Sequence, residues 1–433
     1  MNTISILTVF PDLYETFLKT SLLKRAQETM SFSVAGFSSF CDPKERIDGP
    51  TAGHGAGMAL RPEVLERAID ANENKFGKAF KIFVTPQGDK LDAVKVKQLA
   101  HMLQSHQHVM FVAGRYEGID QRVHEEYADL EISIGDYVLM GGDLPIMVTL
   151  EATLRHVEGI VGQKESVDQD SFSGSFFDYP TYTVPPRIWK GHTIPEILLS
   201  GNHKAMNDWR REVAATNTIK KNFLWIKNHC KNIKDKVLVE EKLPPHYVVL
   251  MHDQVVVQEG TVGTSSVTSL DIHDIARSSK TYGIKNYFVV TPLIDQQKIV
   301  NKILEFWNTS GIEYNKQRHT AVKEVELKES LESVIKAIRE KEGKEPILVA
   351  TSAQSDNQAQ RITYYDQSIV WEHERPVLFI FGTAKGLSSE LIKRCDYLLL
   401  PIEGFTKFNH LSVRSAAAII LDRWLGCNFV QVD

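Results

Sequence analysis

Two stretches of the chain repeat one arrangement that narrows its fold sharply. An apolar run ends in a glycine-bearing loop, a second run and loop follow, and a helix start closes the set. In the first stretch, Gly114-Arg115-Tyr116-Glu117-Gly118-Ile119-Asp120 is followed by Ser133-Ile134-Gly135-Asp136-Tyr137-Val138-Leu139-Met140-Gly141-Gly142-Asp143-Leu144-Pro145. In the second, Phe381-Gly382-Thr383-Ala384-Lys385-Gly386-Leu387 precedes Leu399-Leu400-Pro401-Ile402-Glu403-Gly404, and then His410-Leu411-Ser412-Val413-Arg414-Ser415. Glycines at successive strand ends let backbone amides and carbonyls close around a flat polar ligand, so the repeat points to two ligand sites in one polypeptide. Neither set is a phosphate loop: no G-x-G-x-x-G opens a helix after the first strand, and no G-x-x-x-x-G-K-[ST] occurs. A clasp lined by backbone suits an adenine edge with an amino-acid tail better than a chain of phosphates.

The rest of the chain fits around these loops. Strand-like runs at Ile4–Phe10, Lys81–Thr85, His108–Ala113 and Leu130–Ile134 alternate with helical stretches at Leu13–Glu28, Pro62–Asn72, Ala93–Gln104 and Ile146–His156. That alternation predicts an α/β domain with a mostly parallel sheet over residues 1–160. Residues 161–177 are polar and read as a mobile loop, and 178–240 lack clear strands and read as a small helical module. Glu240-Glu241-Lys242-Leu243-Pro244-Pro245 marks the next boundary, because tandem prolines stop helices. A second alternating unit occupies 246–433, with strands at Tyr247–Met251, Tyr287–Thr291, Ile347–Ala350, Val377–Phe381 and Tyr397–Leu400, and helices at Leu270–Tyr282, Asp295–Ser310 and Leu327–Glu342.

At 433 residues the chain exceeds one hydrophobic core, and its net charge of −5 argues against a surface coated for polyanions. The charge is uneven. From Arg187 to Lys236 there are eleven Lys or Arg against four Asp or Glu, interleaved with Trp189, Trp209 and Trp225. That pattern fits phosphate attraction with base stacking, and equally a solvated helical face over core tryptophans. Cys41, Cys230, Cys395 and Cys427 have no metal-ligand spacing and read as free thiols in a reducing compartment. The start has no signal-peptide character, and no apolar run approaches the roughly 18 residues of a membrane span, so a cytoplasmic protein with no membrane partner is expected.

Residues 1–236 closely resemble the bacterial tRNA (guanine-N1)-methyltransferases of the SPOUT class. The resemblance is carried by Phe10-Pro11, Gly57-Met58, Pro86-Gln87-Gly88, Gly114–Asp120, Ser133–Pro145, Asp170-Ser171-Phe172, Leu198–His203 and Trp209-Arg210. It implies a trefoil-knotted domain, a homodimer, S-adenosylmethionine as methyl donor, a magnesium requirement, and methylation of tRNA guanosine 37 when position 36 is also guanosine. Guanine N1 carries a proton, so its attack on a sulfonium methyl needs a base near N1 and positive charge near O6. The resemblance assigns Asp170 as base and Arg155 as electrostatic partner, with Glu117 also catalytic. An ordinary Asp has a pKa of roughly 4, so stabilisation of the guanine anion must carry much of the work. Glu117 and Asp178 are the implied metal carboxylates, and Asp178, Asn202, His203, Trp209 and Arg210 the implied tRNA contacts. The donor clasp is implied at Phe83, Thr85, Pro86, Gln87, Gly114, Tyr116, Ile134, Gly135, Tyr137, Leu139, Gly141, Gly142 and Pro145. The chain departs from the family at Gly49–Ala56, before Gly57-Met58, and at Thr181, where many relatives carry His.

Residues 246–433 resemble a second SPOUT domain, nearer the ribose 2′-O-methyltransferase branch, through Asp274–Ile284, Phe381–Leu387, Leu400–Gly404 and Leu411–Ile419. The resemblance implies Arg277 as the arginine that assists the target ribose, and backbone donor contacts at Gly382, Gly386, Leu400, Ile402, Leu411 and Ser412. Asp271 stands where an asparagine is usual in that branch. The expected whole is two knotted α/β domains with a helical module between them, the first making N1-methylguanosine and the second acting on an RNA target, with ribose 2′-O-methylation as the candidate reaction. Two other readings stay open: a degenerate second domain that dimerises or holds RNA, and a non-catalytic RNA-binding assembly factor, against which intact Arg155 and Asp170 argue.

Overall fold

The computed structural model describes residues 2–55, 57–161, 170–258, 260–354 and 359–428. The chain divides into two compact units, Met1–Ser173 and Gly174–Asp433.

In the first unit, β1 (Asn2–Thr8), β2 (Met30–Gly36), β3 (Phe80–Lys90), β4 (His108–Ala113) and β5 (Leu130–Ser133) form one parallel sheet in the order β2-β1-β4-β3-β5. Both faces are covered, which is why its central strands read as continuous apolar runs. Ile4 and Ile6 pack with α2 (Ala93–Ser105) and α3 (Asp143–Leu154), whereas Leu7 packs with α1 (Pro62–Phe76) on the opposite face. Each such fully buried aliphatic side chain contributes about 1.5–3 kcal/mol. Val84 and Asp89 both pair with Ile132, so Thr85-Pro86-Gln87-Gly88 loops out of β3. A Cβ on Gly88 would lie 2.5 Å from the Ile132 nitrogen, so the loop-out needs glycine there.

The second unit holds β6 (His246–Met251), β7 (Asn286–Val290), β8 (Val325–Lys328), β9 (Ile347–Thr351), β10 (Arg361–Ile362), β11 (Val377–Gly382) and β12 (Tyr397–Leu399). They form a parallel sheet ordered β8-β7-β6-β11-β9-β12-β10. Without the edge strands β8 and β10, the succession is second, first, fourth, third, fifth, the same as in the first unit. The helices α4 (His203–Lys221), α5 (Phe223–His229) and α6 (Ile233–Lys242) bury Ile219, Phe223, Ile226 and Val239 in the core on one face of this sheet. Further on, α7 (Ser269–Thr281), α8 (Leu331–Glu342) and α9 (Val413–Leu425) add to the covering layers, as does the helix Ile294–Asn308 through Val300, Leu304 and Trp307.

Pro244-Pro245 leads straight into β6, whose first residue is locked. His246 donates from Nδ1 to the Pro244 carbonyl at 2.7 Å, and its Nε2 accepts from the Trp371 and Trp424 indoles at 3.2 and 3.1 Å. Burial lowers its pKa to about 4 and keeps the ring neutral, as the two indole donors require.

Three expectations for local structure change. The helix over Leu13–Glu28 is two short helices, Leu13–Leu18 and Ser21–Ala26, because Thr20 is extended. Leu327 belongs to strand β8, and the helix begins only at Leu331, where Ser330 accepts from the Ser333 amide at 3.2 Å. Strand β2 was not expected at all, although Met30, Phe32 and Val34 alternate with smaller residues as a half-buried edge strand should. Of the loop expected over 161–177, residues 162–169 lie outside the described residues.

Candidate active site

The loops leaving β3, β4 and β5 at their C-terminal edge enclose a pocket of about 360 Å³. The loop-out of β3 supplies Thr85, Pro86 and Gln87, and the β4 loop supplies Gly114, Tyr116 and Glu117. The β5 loop supplies Ile134, Tyr137, Leu139, Gly141 and Gly142, with Pro145 from the first turn of α3. Two of the residues assigned to the clasp stand behind it. Phe83 is fully buried in the core and packs against the His124 ring at 4.9 Å, and it is His124 that lines the pocket. Gly135 is buried with its amide and carbonyl tied to Ser133 Oγ, and the Tyr137 ring occupies the space a Cβ would need.

Close backbone approach explains the paired glycines. A Cβ on Gly142 would lie 2.7 Å from Val84 Cγ2 and 2.9 Å from the Gly114 nitrogen, and the Gly142 amide donates to the Gly114 carbonyl at 2.8 Å. A Cβ on Gly141 would meet Arg115 Nη1 at 2.7 Å. Gly57, with φ at +90°, leaves room for the Glu117 side chain to fold over it. The pocket also takes in residues the sequence did not single out, chiefly Arg115 and His124. Arg115 lies over the Phe10 ring at 5.0 Å, which explains part of the Phe10-Pro11 signal. His124 bonds to Glu131 at 2.5 Å, a pairing across a turn that no local pattern announces.

Arg155 follows the last turn of α3 and forms an ion pair with Asp170, both side chains being close to half exposed. The pair sets a proton acceptor beside a fixed cation, which suits an N–H flanked by a carbonyl. Arg155 lines a different hollow from the clasp, with Leu22, Glu151 and Ile160.

The assigned tRNA contacts lie in the second unit. Asp178 is exposed and accepts from the Tyr179 amide at 2.8 Å. Asn202 caps α4 by accepting from Ala205 at 3.1 Å, and His203 is the exposed first residue of that helix. Trp209 is partly buried, and the Arg210 guanidinium lies 4.7 Å over the Tyr179 ring. Two bases of the charged segment are structural. Arg211 pairs with Asp235, which also accepts from Ser175 at 2.6 Å. Burial opposes that ionised carboxylate, but the bonds from Ser175, Arg211 and Asn232 outweigh it and keep its pKa low. Lys227 is buried, its pKa lowered by that burial, and it donates to the Asp422 and Arg423 carbonyls at the end of α9.

The second glycine set lies along the C-terminal edge of the larger sheet. A Cβ on Gly382 would lie 2.6 Å from the Leu387 nitrogen, and Gly386 has φ at +103°. The Leu400 amide donates to Ile362 at 2.9 Å, and its carbonyl accepts from Tyr364 at 3.0 Å, so both its polar groups are already engaged. Ile402 packs on the core, Leu411 is exposed, and Ser412 caps α9. Arg277 is exposed on α7. Asp271 is buried: it accepts from Thr268 at 2.7 Å in the first turn of α7 and faces Arg414 at 3.4 Å.

A family model described as tRNA (guanine-1)-methyltransferase TrmD matches residues 2–227, and one described as SAM-dependent RNA methyltransferase matches residues 245–426. Proteins called tRNA (guanine-N(1)-)-methyltransferase from Oleidesulfovibrio alaskensis and Nitratidesulfovibrio vulgaris are each 34% identical to this chain, over 98% of it and 99% of their own length. A namesake from the Wolbachia of Culex pipiens is 39% identical over 50% of this chain and 93% of its own length, so it corresponds to the first half alone. The clasp and these likenesses define an S-adenosylmethionine-dependent methyltransferase. The chain belongs to the tRNA (guanine-N1)-methyltransferase family, in a form that carries a second domain.

Proposed function

We propose that this enzyme makes N1-methylguanosine at tRNA position 37, reading guanosine at 36, with Asp170 as base and Arg155 as the cation beside the guanine carbonyl. The observation that carries the reading is the Arg155–Asp170 ion pair. Asp170 takes the N1 proton, and negative charge spreading to O6 is met by Arg155, which must exchange its carboxylate partner for the base. The clasp suits S-adenosylmethionine, since glycines at 141 and 142 let the β4 and β5 loops approach closely enough to enclose a pocket of about 360 Å³. When bound there, the donor supplies an electrophilic methyl group. Tyr116 and Tyr137, both exposed at the pocket, offer ring faces to its adenine.

The dimer belongs to this proposal on geometric grounds. Helix α3 begins at the clasp and runs 12 residues, about 18 Å, before reaching Arg155. A clasp and a base pair at opposite ends of one rigid helix cannot act on the same methyl group. A second copy of the chain, related by two-fold symmetry, would bring its own Arg155 and Asp170 to the clasp of the first. A trefoil path in each domain is part of the proposal, on the family likeness of both halves. For the metal the fit is poor: among the described residues no three His, Cys, Asp or Glu side chains gather, and Glu117 and Asp178 belong to separate compact units. Magnesium is therefore proposed only as a partner of the tRNA, with no ligand set assigned on the protein, and no step depends on it. A cytoplasmic location goes with the tRNA substrate, and among the described residues no helix is long and apolar enough to cross a membrane. Residues 178–240 are proposed as the tRNA-binding module, and the second domain as a donor-binding RNA methyltransferase through Gly382, Gly386 and Arg277.

The test is mass spectrometry of tRNA fragments after incubation with mixed variants. Asp170→Asn and Gly142→Val should each be inactive alone. Their randomly assembled mixture should recover about a quarter of wild-type activity at position 37, because half of the dimers are mixed and each holds one intact site. No recovery in verified mixed dimers would sink the shared site.

A further inference from the structure

The loop that follows the fifth strand differs in length between the two sheets. In the first unit it spans 134–142, and its apolar residues Tyr137, Leu139 and Met140 line the clasp. In the second it spans 400–412, four residues longer. The longer loop carries Phe405, fully exposed, and Phe408, 77% exposed, on either side of Thr406 and Lys407. Asn409 donates to the Ala353 carbonyl at 3.1 Å, which ties the loop to the end of β9. Lys407 makes no ion pair among the described residues, and Glu403 is the only acid between Leu400 and Ser412.

Leaving two phenyl rings in water is unfavourable unless something covers them. Each ring buries at most about 150–250 Å², whereas a stable protein interface needs roughly 800 Å² per partner. Two rings supply only part of that area, whereas each is matched by a single base, which presents a flat face to an aromatic ring. The unpaired cation between the rings favours a polyanion. We propose that the loop Glu403–His410 is a stacking platform for unpaired nucleotides of the RNA on which the second domain acts, Phe405 and Phe408 taking bases and Lys407 a phosphate. The proposal rests on reading that domain as an RNA methyltransferase.

Binding of a short fluorescein-labelled oligouridylate to the full chain, and of an RNA duplex of equal length, tests it. The Phe405→Ala/Phe408→Ala double variant should bind the single strand at least about tenfold more weakly and the duplex unchanged. N1-methylguanosine formation and circular dichroism should match wild type. Lys407→Ala should lower the salt dependence by about 0.7 in log–log slope, the value for one single-strand phosphate. The signal of Phe405→Trp, taken as the difference from wild type, should be quenched by the oligonucleotide. Unchanged affinity in the double variant overturns the platform while leaving the domain's activity standing, and if its sedimentation mass falls as well, the loop is a contact between copies. A wild-type chain that binds no oligonucleotide and forms no methylated product except N1-methylguanosine overturns the underlying reading too.

Discussion

The five inner strands of the larger sheet follow the strand order of the smaller one, and both sheets carry glycine-bearing loops, but they hold their key carboxylates in opposite ways. Asp170 sits near the surface, paired with Arg155, both side chains close to half exposed. Asp271 is buried in a capping arrangement, its oxygens shared between Thr268 and Arg414, so it secures the start of α7. The same strand order thus sets glycine-bearing loops at one edge of each sheet, while one acid lies near the surface and the other is committed to the fold.

The largest effect should separate those acids. Asp170→Asn should lower single-turnover N1-methylguanosine formation by about 10²–10⁴-fold with donor affinity retained, whereas Asp271→Asn should leave that product unchanged. Equal losses in the two variants would erase the distinction. Next come the glycines. Gly142→Val should remove the first donor site and Gly382→Val the second, each with at least a tenfold loss of S-adenosylmethionine affinity at its own site, because a Cβ would lie within 3 Å of neighbouring backbone. Titration calorimetry should show two donors per chain falling to one in either variant.

Acid should then weaken the second unit selectively. Burial lowers the pKa of His246 to about 4 and of His252 to about 4, with Asp271 partly opposing the shift at His252. Both rings stay neutral in the folded chain, while in the unfolded chain they gain protons below about pH 6.5. Their contribution is therefore complete above pH 6.5 and is lost as the pH falls toward 4, at up to about 1.4 kcal/mol per pH unit for each ring. Urea unfolding at a series of pH values should show the transition that follows Trp371 and Trp424 moving first, and His246→Gln should flatten its pH dependence. The smallest effect is electrostatic. Neutralising Arg210, Lys220 and Lys221 should reduce the log-affinity against log-salt slope for tRNA by up to about 0.9 for each phosphate left without its cation. Arg211→Ala should instead lower stability by about 1–3 kcal/mol, since Asp235 loses a charged donor. A slope change from Arg211 without destabilisation would return it to the RNA surface.

The sequence by itself determined what depends on local backbone freedom and periodicity. The strands buried on both faces were visible as apolar runs, and the clasp loops were visible because they carry glycine where chain segments touch, as at Gly141 and Gly142. Strand β8 and the break at Thr20 were missed, because a short edge strand and a single extended residue leave weak patterns. Only the tertiary structure decided which distant groups meet. It paired Arg155 with Asp170, set them a full helix away from the clasp, and bonded Arg211 and Lys227, two of the eleven bases of the charged segment, within the fold. It also placed Phe83 behind His124 and gave the five inner strands of the larger sheet the order of the smaller one. The physical reason is that a residue's type limits what it can bind, whereas its partner is chosen by how elements far apart in the chain pack together.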